Sequence, residues 1–323
     1  MSRLFDGVTL LRPLRGTEKE ATDHVMQLAA KSMALSCLAY RTPLTAQWLQ
    51  DIKFVRNYKT WCGQWCDHGG KSIGAEAVTG IISDVSEELS GPMPFVAFRG
   101  TKTANDMIAD AKSIIISEFR SELINGGLIG QAGKGYIDHL SSLKDAGLAD
   151  EVVRLASQCN GRLLVCGHSL GGAMATLLGS ALHRFDPQLR LYVVTFGAPR
   201  VFLESTARVI DTYTYTNLRF INEGDLVPTL GNEGLSKPLF HVGSPFYIRR
   251  KANDVVQIDN DMALDWANDP SDIIETAELI KDFLAAKAGF HSIQIDQAAG
   301  YQRFYQTKTY QSSMSRLKHS NSN

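Results

Sequence analysis

Cysteine is scarce, with five residues in 323, at positions 37, 62, 66, 159 and 166. So odd and sparse a set argues against a disulfide framework and suits a reducing compartment. Long apolar runs are missing too, and nothing approaches the ~18 to 20 residues of a membrane-spanning helix. The opening segment MSRLFDGVTLLRPLRGTEKE carries charges throughout and lacks the apolar stretch of a secretory signal. The expectation is a cytoplasmic chain or one exported by a non-classical route. Neither sign of charge dominates: Lys and Arg total 33 against 34 Asp and Glu, a net charge of −1. No global field draws the chain to nucleic acid or to anionic membranes. Cys62, Cys66 and His68 are close in sequence, but a structural zinc site needs four ligands and no second Cys/His pair at ligand spacing follows. No metal is expected.

What is present is a sizeable core, since 44% of the residues are hydrophobic and 21% charged. Internal repeats and long linkers are absent. Residues 17–40 read as a helix from the spacing of Val25, Leu28, Ala29, Met33 and Leu35. Residues 75–85 and 94–99 read as strands, and 103–130 as irregular. Residues 134–158 are helical with a break near Gly147. An apolar strand over 162–166 and a helix over 171–185 follow, then strands at 191–196, 218–222 and one or two within 246–259. Asp269-Pro270 opens a further helix, with Asp269 as N-cap and Pro270 in its first turn. The alternation of strand and helix predicts a mostly parallel central sheet flanked by helices. The expected organisation is one domain over 1–323. It has an N-terminal helical segment to residue 60, a core over 74–300 and a polar tail over 302–323.

The strand at 162–166 runs into Gly167-His168-Ser169-Leu170-Gly171 and then a helix. A bare G-x-S-x-G arises by chance in about one chain in ten of this length, at ~7% each for Gly and Ser. Its setting between strand and helix makes it specific, because that is the geometry of a nucleophile elbow. A turn this tight leaves no room for a Cβ at the flanking glycines. It lifts the serine Oγ above the sheet and sets the helix N-terminus beneath the reacting carbon.

Gly167-His168-Ser169-Leu170-Gly171-Gly172-Ala173 resembles the elbow of the fungal-type class 3 lipases, a family with the α/β-hydrolase fold. Three more segments resemble that family in order. They are Phe98-Arg99-Gly100-Thr101, Thr195-Phe196-Gly197-Ala198-Pro199-Arg200, and Asn222-Glu223-Gly224-Asp225-Leu226-Val227-Pro228. The resemblance covers about residues 74 to 300. It implies an α/β-hydrolase fold with a lid, a serine carboxylester hydrolase, and acylglycerol-type lipid esters as substrates. Phospholipids, through an A1-type activity, are the enzymatic alternative, and a non-catalytic lipase-like interaction module is the alternative outside enzymes. No cofactor is required.

Serine at its free pKa is a poor nucleophile and needs a hydrogen-bonded base, itself oriented by an acid. The chain order in this fold is Ser, acid, His. Asp225 follows an apolar strand, with Glu223 as the nearby rival; the resemblance places the acid on Asp225. Chain order admits His241 and His291 as base. The fold carries its base after the last core strand, which selects His291, and His241 resembles the family's non-catalytic histidine ahead of that strand. The N–H of Leu170, directly after the nucleophile, supplies one oxyanion donor. The resemblance assigns the other to Thr101. The segment after Thr101 corresponds to the family's lid, with Met107, Ile108, Ile114 and Ile115 as candidate substrate contacts. Met107 stands where many relatives have Trp, and Gly133 replaces the His of the family's H-x-G-F segment. The expected partner is a lipid or ester substrate at a lipid–water interface.

Overall fold

The computed structural model describes residues 19–20, 23–40, 55–66, 72–83, 89, 91–100, 115–121, 127–159, 161–222, 227–229, 238–249 and 254–257. Along the chain run strand β1 (Lys19–Glu20), helix α1 (Asp23–Ala39), then β2 (Val55–Cys66), β3 (Ser72–Ile82) and β4 (Met93–Phe98). A hairpin of β5 (Ile116–Ser121) and β6 (Gly127–Gly133) leads into α2 (Lys134–Asp145) and α3 (Leu148–Gln158). Next come β7 (Arg162–His168), α4 (Leu170–Phe185), β8 (Arg190–Phe196), β9 (Phe202–Leu203) and α5 (Glu204–Ile210). The described chain finishes with β10 (Thr216–Asn222), a 3-10 turn (Val227–Thr229), β11 (Leu239–Phe240), β12 (Ser244–Arg249) and β13 (Asp254–Gln257).

Nine strands form the main sheet in the order β1-β13-β12-β10-β8-β7-β4-β3-β2. The middle of it, from β12 through β10, β8 and β7 to β4, is parallel. The flanks are antiparallel. The fold is an α/β-hydrolase fold, as expected. A second sheet, β11-β9-β6-β5, lies apart from it.

Parallel strands buried on both faces read as continuous apolar runs, and MPFVAF in β4 is buried at every residue. One core cluster joins α1 to one face through Leu28, Met33, Leu35 and Leu38 against Phe95, Leu164, Phe196 and Phe220. The other joins α2, α3 and α4 to the opposite face, including Leu143, Val152, Leu177, Val165 and Val193. Helix α4 is buried from Leu170 through His183. A helix apolar all round belongs in the interior, and the small residues of LGGAMATLLGSALHRF let it lie close to the sheet. A Cβ on Gly179 would run into the Val193 side chain.

Three expectations change. Residues 55–60 belong to strand β2 rather than to a helical segment. Only Trp61 and Gly63 of its described side chains are buried, and a bulge lies between Arg56 and Lys59, so the strand lacks a clean period of two. Residues 116–121 and 127–133 are paired antiparallel strands rather than irregular chain, with a register shift between Phe119 and Arg120 that breaks the alternation. Helix α1 starts at Asp23, not at residue 17. The break near Gly147 is found where expected: Gly147 takes φ 93° between α2 and α3, a conformation glycine adopts without strain. The helix expected after Asp269 and the tail at 302–323 lie outside the described residues.

Candidate active site

Register sets the stage. His168 at the end of β7 is level with Phe196 of β8, Phe196 with Phe220 of β10, and Phe220 with Phe246 of β12. Phe196 stacks on Phe220 at 5.3 Å between centroids, and Phe220 on Phe246 at 5.1 Å. This aromatic row faces α1. The row beside it, Gly167–Thr195–Arg219, faces the opposite way, toward α4.

At the end of β7 the chain turns at Ser169 with φ 59° and ψ −130° and enters α4 at once. A non-glycine residue there carries backbone strain of order 1–3 kcal/mol, sustained only where the surroundings over-determine it. Here they do. Ser169 N–H donates to the Phe196 carbonyl at 2.9 Å, and its own carbonyl accepts from Gly172 N–H at 2.8 Å. The neighbouring glycines are required by close backbone approach. A Cβ on Gly167 would collide with Gly171, and one on Gly171 with the Phe98 carbonyl. One on Gly172 would come within 2.6 Å of Ala198 Cβ. Ser169 is 1% exposed. Leu170 provides the first amide of α4, where helix amides lack intrahelical partners.

The end of β4 presses against this turn. A Cβ on Gly100 would meet the Tyr40 hydroxyl, the His168 carbonyl at 2.6 Å and Ser169 Cβ at 3.1 Å. Tyr40 Oη lies 2.9 Å from His168 Nδ1. Burial pushes the Tyr40 phenol up and the His168 imidazole down to about 4, so both are neutral. Arg99 is nine-tenths buried, its guanidinium pairs with the Glu76 carboxylate, and its Nε–H donates to the Gly100 carbonyl at 3.3 Å.

The other half of the same sheet edge is electrostatic. Arg200 and Arg219 are both buried there. Burial drives the Arg219 guanidinium down to about 9; Asp211 opposes that shift and Arg200 adds to it. His241, just past β11, donates Nε2–H to the Pro228 carbonyl at 2.7 Å in the turn after β10. Burial, then Arg219 and Arg200, hold its pKa well below 6.5.

The structure thus describes Ser169 and Leu170 at the head of α4, and exposed Ile115 just before β5. Thr101, Met107, Ile108, Ile114, Asp225 and His291 lie outside the described residues, as does His68. Thr101 follows Gly100 directly in the chain, and Asp225 stands three residues beyond Asn222 at the end of β10. Sequence reasoning missed Tyr40, the Arg99–Glu76 pair and the buried arginines. Arg99 and Arg200 lie inside quoted motifs and were open to suspicion, but Tyr40 carries no local signal. Among the described residues there is no group of three or more His, Cys, Asp or Glu that could hold a metal ion. Nor is any of their helices long and apolar enough to cross a membrane.

A family model for class 3 lipases matches residues 95–234. Among curated proteins, a lipase of Rhizomucor miehei is 26% identical over 237 residues, covering 71% of this chain and 62% of that protein. The secreted mono- and diacylglycerol lipase A of Penicillium cyclopium is 30% identical over 177 residues, covering 53% of this chain and 54% of that protein. The match therefore spans less than two thirds of either relative. The solved Rhizomucor miehei triacylglyceride lipase superposes with a TM-score of 0.58 at 20% identity, over 75% of this chain and 87% of that one. Over the segment that carries its elbow and the end of β4, the chain is similar to the class 3 lipase family.

Proposed function

We propose that this chain is a serine carboxylester hydrolase that cleaves acylglycerol-type lipid esters. The observation that carries the reading is the strained Ser169 at the head of α4 with Gly100 packed against its Cβ. A nucleophile and a neighbouring backbone segment able to donate to an oxyanion are what acyl transfer needs. The glyceride substrates are supported by the Penicillium relative, a mono- and diacylglycerol lipase.

In this reading Ser169 Oγ attacks the ester carbonyl while His291 takes its proton. The N–H groups of Thr101 and Leu170 receive the developing oxyanion. The tetrahedral adduct collapses to an acyl-enzyme, His291 protonates the leaving alcohol, and water repeats the cycle with the same base. Asp225 orients the imidazole and stabilises the imidazolium without taking the proton. The parallel register supports Asp225, since β10 ends on the same sheet edge as β7. His291 is supported by what His241 does instead. The Nε2–H of His241 is engaged with Pro228, and an imidazole flanked by two buried arginines is poorly suited to receive a proton. Burial of Ser169 supports a lid that moves before substrate enters, assigned to residues 102–116.

The test is labelling with an organophosphonate ester followed by assay against matched glyceride and phospholipid panels. Labelling lost in Ser169→Ala, with turnover of glycerides, is the expected result. Turnover confined to phospholipids would transfer the substrate to the A1-type alternative. An unlabelled wild type would make the chain a non-catalytic module. Activity that climbs when a short-chain ester passes its solubility limit would support the lid.

A further inference from the structure

We propose that the buried guanidinium of Arg219 forms one side of a binding site for a monatomic anion, chloride under physiological conditions, enclosed between β10 and the chain that joins β11 to β12. The inference is independent of the esterase reading. Its first support is an orphaned donor. Arg219 is 4% exposed, and its buried Nε–H has no hydrogen-bond partner. Among the described residues it joins no ion pair. Buried charges are normally paired, because burial strips away the water that would otherwise hold them.

Strand pairing closes the surroundings. Arg219 is level with Thr195 of β8 on one side and Pro245 of β12 on the other, so it stands inside the main sheet. Buried Arg200 leads into β9, which pairs Phe202 with Phe240 and Leu203 with Leu239 of β11. The Val201 N–H continues that pairing by donating to the Phe240 carbonyl at 3.1 Å. Arg200 therefore enters β9 alongside the chain that leaves β11 through His241. That chain reaches Gly243, where a Cβ would meet the side chain of Asn217. Asn217 is two residues before Arg219 and so on the same face of β10. Residues 241–245 thus run from the Arg200 side to the Arg219 side.

The polar groups on this path are already engaged. The carboxylate that faces Arg219 is Asp211, whose Oδ1 accepts the Gly243 N–H at 2.8 Å. His241 donates Nε2–H to the Pro228 carbonyl at 2.7 Å. Arg200 brings a second cation, so two guanidinium charges stand against one carboxylate. One further negative charge balances them and gives the Arg219 Nε–H an acceptor. Because that nitrogen is closed to solvent, a single-atom ion suits it better than phosphate or a carboxylate, whose other oxygens need room and donors of their own.

The test follows thermal unfolding of the full chain as sodium chloride replaces sodium gluconate at constant ionic strength. Saturable stabilisation is expected, a Tm rise of roughly 2–4 °C near full occupancy, with bromide acting alike. Arg219→Gln should lose this dependence. If that variant does not fold, the quadrupolar line width of the chloride NMR signal reads binding on the wild type directly, and broadening that bromide reverses is expected. A wild-type Tm indifferent to the exchange would overturn the proposal, as would a chloride line left sharp. Undiminished chloride dependence in folded Arg219→Gln would move the anion elsewhere and overturn it too. Stabilisation by phosphate but not by halide would overturn the monatomic ligand.

Discussion

The two halves of the sheet edge at the candidate site are held by different forces. Around β7 and β4, position comes from backbone contact: glycines at 167, 171 and 172 with no room for a Cβ, and a serine forced to positive φ. Around β10 and β11 it comes from buried charge: Arg200, Arg219, and a histidine kept neutral beside them. Each half contains an imidazole whose proton affinity is lowered, and the two differ instructively. His168 loses its proton affinity to burial alone and shares a hydrogen bond with Tyr40. His241 loses it to burial and to two cations, and donates to Pro228. Contact leaves little room around Ser169, the proposed attacking residue, whereas buried charge sets the electrostatics beside His241.

The largest effect expected is chemical. Ser169→Ala and His291→Ala should each lower turnover by a factor of roughly 10³ or more, with a double mutant hardly worse, because members of a triad act as one unit. His241→Leu should cost only a several-fold factor in rate, but of order 1–3 kcal/mol in stability, since the Pro228 carbonyl loses its donor. Urea unfolding beside single-turnover kinetics separates the two; full turnover in His291→Ala with none in His241→Leu would reverse the assignment.

On the contact side, Gly171→Ala drives a Cβ into the Phe98 carbonyl, and a backbone atom cannot step aside. A loss of about 1–3 kcal/mol or more is expected, read as a fall in Tm. A wild-type Tm would mean that β4 is free to yield.

Lowering the pH should expose the neutral imidazoles. Their folded pKa values lie below 6.5, at about 4 for His168 and well below 6.5 for His241. Below pH 6.5 the unfolded chain therefore binds protons that the folded chain refuses, and stability drops as pH falls. The His168 share is complete by about pH 4 and of order 3 kcal/mol. Urea midpoints between pH 7 and 4.5 should decline steadily, and a flat profile would contradict neutral burial. The smallest effect is a control. In α2, a Cβ on Gly135 meets nothing within 4 Å, so Gly135→Ala should be neutral or stabilising by up to about 1 kcal/mol.

How much of this was legible in the sequence follows from range. The elbow could be read because strand, turn and helix are contiguous and every steric demand falls on a neighbour in the chain. The parallel centre could be read because strands buried on both faces are plainly apolar. Strand β2 was missed because it edges the sheet with five exposed residues, Arg56 to Thr60, and a bulge. The β5–β6 hairpin was missed for its shifted register. Tyr40 was invisible because its partner His168 is 128 residues away, and a phenol at the end of a helix has no motif. Arg219 was likewise hidden, since a polar letter in an apolar strand looks like a solvent-facing position until the sheet is assembled.

The β7–α4–β8 unit has a kinetic consequence. From Arg162 to Phe196 it is one unbroken stretch of chain, and its parallel register and the Ser169–Phe196 hydrogen bond close entirely within it. Contacts so local cost little loop-closure entropy and form early. The β4–β7 pairing and the Tyr40–His168 link span much longer separations and are expected later. During folding, the elbow should therefore exist before the segment that completes it. A refolding chain would show its helix and strand signals first, and capture a phosphonate only after α1 has docked.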